Sequence, residues 1–223
     1  MAQKIWGAVD EYFGDLLLQE DKGLQSAVDA SASAGLPPIQ VSPVQGKFLH
    51  LLARGIGARN ILEIGTLGGY STIWMARALP EGGRVVTLEI SPKHAEVARH
   101  NWARAGVADK IELRLGKALE LLPRLVAEGR EPFDLIFIDA NKSDMREYFE
   151  WSLKLARRGS LIVADNVVRD GAVLDADSDD GDVQGVRRFA EMAAKEERVS
   201  ATVLQTVGTK GYDGFALLLV TAD

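Results

Sequence analysis

The 223-residue chain is 47% hydrophobic and 26% charged, carries a formal net charge of −6 and contains no cysteine. Disulfides, thiolate metal sites and cysteine nucleophiles are thereby excluded, and three histidines leave little material for a His-rich zinc site. An acidic chain without a long basic block is a poor partner for nucleic acid.

No apolar run reaches the roughly 18 residues of a membrane span. The start, "MAQKIWGAVDEYFG", lacks the apolar core of a signal peptide. A cytoplasmic protein without a membrane segment is the simplest expectation. The length suits one domain, 1–223, with residues 1–40 as an N-terminal helical extension. Within it, residues 1–35 read as helical and amphipathic, with Ile5, Val9, Tyr12, Phe13, Leu16 and Leu17 at helical spacing. "GLPPIQVSP" from Gly35 to Pro43 is a breaker-rich loop, and a helix is expected from Val44 to about Arg54.

An alternation follows. The strands are "NILEIG", "RVVTLEI", "KIELRLG", "FDLIFID" and "SLIVADN". The helices between them are "YSTIWMARAL", "PKHAEVARHNWARAG", "KALELLPRLVAEG" and "DMREYFEWSLKLARRG". Ser91 and Pro92 form an N-cap and first-turn pair. Near the end come a helix around 183–197 and two strands, "VSATVLQT" and "FALLLVT". "DADSDDGD", Asp175 to Asp182, reads as a solvated, mobile acidic loop. Strands apolar on both faces and alternating with helices imply an α/β fold, a parallel sheet covered on both sides. Right-handed crossovers then put the strand C-termini on one edge, where ligands bind.

That edge collects Glu63, Gly65, Thr66 and Ser71 from the first strand and turn, and Glu89 from the second. The third strand delivers Ala118, the fourth Asp139, Asn141 and Lys142, and the fifth Asp165 and Asn166. So many acids at one place require cations nearby, a metal ion or a cationic cofactor. "EIGTLGGYS" is a glycine-rich strand-to-helix turn without the G-x-G-x-x-G spacing of the dinucleotide fingerprint or the phosphate-loop ending. Alone it is equally a tight packing turn. Glu89 sits where an acid can accept ribose hydroxyls, or is a surface acid. Asp139, Asp165 and Asn166 are hard oxygen donors suited to Mg²⁺, Mn²⁺ or Ca²⁺, or else helix caps. The three histidines and four tryptophans read as packing or surface residues, with Trp6 a candidate for the site mouth.

Together "LEIGTLGGYSTIWMARALP", "VVTLEISP", "FIDANK", "VADNVVRDG", the upstream "VSPVQG" and the late "GYDGFALLL" closely resemble the cation-dependent S-adenosylmethionine O-methyltransferases, the caffeoyl-CoA and catechol O-methyltransferase-like enzymes and their bacterial relatives. The resemblance runs from about Val41 to the C-terminus. It implies a single Rossmann-like class I methyltransferase domain, a seven-stranded, mostly parallel sheet with the last strand antiparallel. It implies Asp139, Asp165 and Asn166 as metal ligands, Mg²⁺ first. It implies S-adenosylmethionine on Val41, Glu63, Gly65, Thr66, Ser71, Glu89, Ala118, Asp139, Asn141 and Tyr148, with Glu89 on the ribose. Lys142 falls on the general base of the catechol branch, and a homodimer is implied as well. The chain departs from the pattern at Asn141, where the family usually has Asp, at Met145, where an aromatic is common, and in "ADN" for the plant enzymes' "YDN".

The expected reaction is therefore methyl transfer to a hydroxyl of a catechol-like phenol. A divalent cation would lower the hydroxyl pKa, with the proton passing to Lys142 or to metal-bound water. Lys142 also reads as an ordinary exposed lysine at a helix start. The alternatives are an NAD-dependent oxidoreductase on a similar sheet, disfavoured by the missing glycine spacing, and a non-catalytic cofactor-binding protein, disfavoured by the metal-ligand set. Acceptor choice should lie in the N-terminal segment, "RDGAVLDADSDDGD" and a last loop near Gly211–Asp213. The lack of a basic cluster for a CoA tail favours small catechols or flavonoid-type phenols.

Overall fold

The computed structural model describes residues 2–222. Seven strands form one sheet: β1 (Asn60–Ile64), β2 (Arg84–Glu89), β3 (Ile111–Leu115), β4 (Leu135–Ile138), β5 (Leu161–Asp165), β6 (Val199–Gly208) and β7 (Gly211–Val220). Their order is β3-β2-β1-β4-β5-β7-β6. β7 runs antiparallel to both of its neighbours, and the remaining pairs are parallel. The expected seven-stranded architecture with its antiparallel "FALLLVT" strand is what the chain adopts.

Helices α3 (Pro43–Gly55), α4 (Tyr70–Ala78) and α5 (Pro92–Ala105) cover one face, and α6 (Ala118–Ala127), α7 (Met145–Leu155) and α8 (Gly181–Lys195) the other. Two apolar cores result. Leu62, Ile64, Ile136 and Ile138 pack against Leu122, Phe149 and Phe189. Ile61, Leu135 and Phe137 pack against Leu49, Ile73 and Trp102. Successive residues of β1 and β4 thus feed opposite cores, which is the period-two rule applied to strands buried on both sides. Ser42 and Ser91 cap α3 and α5, each followed by proline at the first helical position.

Three segments differ from the sequence expectation. The N-terminal helical stretch is two helices, α1 (Ala2–Leu17) and α2 (Lys22–Ser33). The break is made by Asp21, whose Oδ1 accepts the amides of Gly23 and Leu24 at 2.9 Å and whose carboxylate pairs with Arg77. Apolar spacing continues past this point, so periodicity alone hides it. α1 buries none of its side chains, and its apolar stripe is exposed. It is tethered to the β6–β7 hairpin, where the Thr209 N–H donates to Asp10 Oδ2 at 2.9 Å.

The last two strands are also longer than expected. They meet in a tight turn at Thr209 and Lys210, so Gly211–Asp213 lies within β7 instead of a loop. Finally, the acidic stretch ends in ordered contacts. Asp180 caps α8 by accepting the Asp182 N–H at 2.8 Å, and Asp182 reaches the site described below.

Removing the Asp21 side chain deletes both a cap and an ion pair. Asp21→Ala should cost about 1–2 kcal/mol, read as a lowered denaturant midpoint with an unchanged slope.

Candidate functional site

β1 and β4 are neighbours, but the chain leaves them toward opposite sides of the sheet, which opens a crevice at their C-terminal ends. Gly65 sits there with φ +103°, and a Cβ on it would lie 2.1 Å from the Asp139 carbonyl oxygen. Only glycine lets the turn after β1 rest on the turn after β4. A cavity of about 890 Å³ opens above this contact.

One half of its wall is the glycine turn and the end of β2. Gly65, Thr66, Ser71, Glu89 and Ala118 all line it, as does the buried Val41. Glu89 is held from two sides, accepting the N–H groups of Leu67 and Ser91 at 2.8 Å each. Thr66 turns its hydroxyl inward to Thr87 Oγ1 at 2.6 Å and the Leu88 carbonyl at 3.1 Å, leaving its backbone toward the cavity.

Glu63 does not line the cavity. It is fully buried beneath the turn, and its carboxyl accepts from Ser71, Thr72 and Thr87 at 2.5–2.6 Å. Burial pushes this carboxyl up to about 7, against the lowering effect of the three hydroxyls, with the Asp139 charge adding to the rise. Its observed contacts therefore support the turn.

The other half of the wall holds Asp139, Asn141, Lys142, Tyr148 and Asn166. Lys142 is not an exposed lysine. It is 4% exposed, and its Nζ donates to Asp139 Oδ1 at 2.9 Å. Asp165 lies just behind the wall. Its Oδ1 accepts the Asn166 N–H at 2.9 Å and its Oδ2 the Gln45 side-chain amide at 2.8 Å. Burial, and then the Asp139 charge, push Asp165 up to about 7 against the opposing effect of Lys142.

The fit to a cation follows from these contacts. Two carboxylates press on each other's charge and only one carries an ion pair, so a further positive charge between them is favoured. Among the described residues no three Asp, Glu or His side chains converge on a point. The set is two carboxylates and the Asn166 amide, all hard oxygen donors.

The departures from the family pattern have local explanations. Asn141 donates to Ser143 Oγ at 2.8 Å and Asp144 Oδ2 at 2.7 Å, and accepts from the Tyr148 hydroxyl at 2.5 Å. An aspartate there would lose both donors and face Asp144. Burial and then the Asp144 charge hold the Tyr148 hydroxyl above its ordinary pKa. Met145 is fully buried in the core, and Tyr148 supplies the aromatic surface to the cavity.

Sequence reasoning missed several contributors. His94, read from sequence as a packing or surface residue, lines the cavity with Nδ1 3.4 Å from Glu89 Oε1. Ser91 caps α5 at the end of β2, which turns the first helical residues, His94 among them, toward the ligand edge. Trp6 and the rest of α1 do not reach the cavity. Asp182 carries no motif, yet its Oδ1 accepts the amides of Lys142 and Ser143 at 3.1 and 3.0 Å and so fixes the turn bearing Lys142.

A crevice at the switch point, with an oriented acid on one side and an oxygen cluster with a buried lysine on the other, defines a group-transfer site of the open α/β type. The sequence pattern of the O-methyltransferase family matches residues 17–219, and the chain belongs to that family. A catechol O-methyltransferase of Niastella koreensis is 57% identical over 220 residues, covering 99% of this chain and 100% of the relative. An O-methyltransferase from Bacillus cereus, solved in complex with SAH, superposes with a TM-score of 0.97 at 57% identity, covering 98% of this chain and 99% of that one. TomG from Streptomyces achromogenes, an O-methyltransferase involved in tomaymycin synthesis and solved with SAM, gives 0.97 at 56% identity over the whole of both chains.

The buried Glu63 carboxyl yields a pH signature. Its folded value, about 7, lies above the 4.5 of an unperturbed glutamate. Its stabilising contribution is therefore complete below about pH 4.5 and is lost as pH rises through about 7. Relative to Glu63→Gln, which does not titrate, the wild-type protein should gain about 3 kcal/mol between pH 8 and pH 5, measured by denaturant unfolding at both pH values.

Proposed function

We propose that this chain transfers the sulfonium methyl of S-adenosylmethionine to one hydroxyl of a catechol-type acceptor, aided by a divalent cation, Mg²⁺ first, at Asp139, Asp165 and Asn166. The observation that carries this reading is the pairing, across one cavity, of the Glu89 turn with the Asp139–Lys142–Asn166 cluster. The SAM- and SAH-bound relatives and the catechol-named relative support it.

In this reading Glu89, fixed by two backbone amides, receives the ribose hydroxyls through its remaining lone pairs. Gly65, Thr66 and Ala118 bring backbone close to the cofactor, Val41 packs at its methionine end, and Asn141 and Tyr148 close the wall opposite. When bound, the divalent cation would supply the charge that makes a neighbouring hydroxyl acidic. Lys142 stands to receive that proton. It would do so as the neutral amine, after its ammonium proton has passed to solvent. The oxygen then attacks the methyl carbon in line as the carbon–sulfur bond breaks, leaving the thioether and the methylated phenol. The chain's part is to hold both reactants at one crevice, which is where the larger share of such catalysis comes from.

The exposed stripe of α1 and the outward Val203, Leu204 and Val207 of β6 support a homodimer that covers apolar surface.

Asp165→Ala should lower turnover of a catechol by at least about a hundredfold while leaving calorimetric S-adenosylmethionine affinity within about threefold. Exhaustive chelation should do the same, and undiminished activity after metal removal would sink the cation's role. A Phe13→Glu, Leu16→Glu double variant should shift the light-scattering mass from dimer to monomer.

A further inference from the structure

Two cations in the cavity wall have no part in the reaction just described: Lys117, on the Glu89 half beside Ala118 and 3.9 Å from Glu120, and Arg169, on the half that holds the acid cluster. Arg169 lies three residues beyond Asn166 and lines the same cavity. The backbone that carries it is unusual. Asn166, Arg169 and Asp170 all sit in the left-handed region, with φ of 56°, 56° and 54°. Residues with a Cβ adopt this conformation only at an energetic cost. Asp213 on β7 maintains it, because its Oδ1 accepts the N–H groups of Val168 and Arg169 at 3.0 Å each and that of Gly214 at 2.9 Å. The strained segment brings both an amide, Asn166, and an arginine, Arg169, to the cavity wall.

The guanidinium itself is under-used. Its side chain is 30% exposed, and the acid it pairs with is Asp182, Oδ2 at 3.6 Å. It makes no hydrogen bond among the described residues, although it carries five donors. Asp182 meanwhile commits its Oδ1 to the amides of Lys142 and Ser143. Apart from Lys142, already paired with Asp139, and Lys117 on the Glu89 half, the remaining charge on the wall is acidic, with Glu89, Asp139, Asp144 and Asp182, and would repel an anionic acceptor that met no compensating cation. Arg169 is the one arginine in that wall. A planar guanidinium matches a single carboxylate through two parallel bonds.

We propose that Arg169 determines specificity by binding a carboxylate on the acceptor. The preferred substrates are then catechols bearing an acid group, of the dihydroxybenzoate or dihydroxycinnamate class, with the hydroxyls at Asp139 and Asn166 and the acid at Arg169. This rests on the catechol methylation reading above and narrows it.

The test compares 3,4-dihydroxybenzoate with its neutral isostere 3,4-dihydroxybenzamide. Methyl transfer is measured for the wild type, Arg169→Gln and Arg169→Lys, and calorimetric binding of both compounds is measured on the SAH-loaded proteins. The wild type should prefer the acid. Arg169→Gln should reduce the acid-to-amide ratio of kcat/KM about ten- to a hundredfold, mostly through KM, as expected when a charge-assisted pair to substrate is lost. Arg169→Lys should restore part of the ratio. Equal losses on both compounds would show a merely structural arginine and overturn the proposal. So would a wild type indifferent to the acid group. If both compounds are methylated at an unaltered ratio in Arg169→Gln, the subsite fails and the reaction reading stands. If neither is methylated but the benzoate binds in an Arg169-dependent way, the subsite stands and the reaction reading fails. If neither is methylated and neither binds, both are overturned.

Discussion

The site depends on a single close approach. The turn leaving β1 and the turn leaving β4 touch at Gly65 and the Asp139 carbonyl, at a separation that leaves no room for a side chain. The glycine-rich backbone that would approach a cofactor hangs from the first turn, and Asp139 and Lys142 hang from the second. Were they a residue's width further apart, the cavity would be two shallow clefts. Around this contact the chain places its most demanding groups, since glycine turns and buried acids are cheap only where a sheet edge supplies backbone donors and a rigid floor.

The floor is largely a problem of charge. Three acids, Glu63, Asp139 and Asp165, come from two central strands and the first residue beyond a third, all within reach of one another's fields. Each is handled differently. Glu63 takes three hydroxyl donors and has a raised proton affinity. Asp139 takes an ammonium. Asp165 takes only neutral hydrogen-bond donors and is raised by burial and by the Asp139 charge. Carboxylates at the same sheet edge thus serve as a strut, as a salt-bridge partner and, in the proposed reading, as a cation ligand. The difference lies in what each neighbour donates.

Much of this was legible in the sequence, because strands buried on both faces are written as uninterrupted apolar runs. "FDLIFID" and "SLIVADN" announce both the strand and the acid at its tip. The antiparallel place of β7 followed from family resemblance, since periodicity does not encode strand direction. The break at Asp21 was hidden because a cap is a local hydrogen-bond event within a continuing apolar spacing. The burial of Lys142 was hidden for a similar reason. Lysine next to a strand end is usually solvated, and only the packing of α8, with the Gly185 position against the Lys142 carbonyl, closes over it. The segments ending in Asp182 and Asp213 were expected to bear on acceptor choice, but the partners of these two acids were not legible, because each acts on backbone amides about 40 or more positions away. No local pattern predicts such a partner.

The long reach of Asp213 also divides the cavity by sequence distance. The bonds that hold the Glu89 turn come from the first two strands and the turns after them. The backbone that carries Arg169 is held instead from β7, where Asp213 reaches back across 44 and 45 residues. A change in the β6–β7 hairpin would therefore be felt at the Arg169 wall before the Glu89 wall.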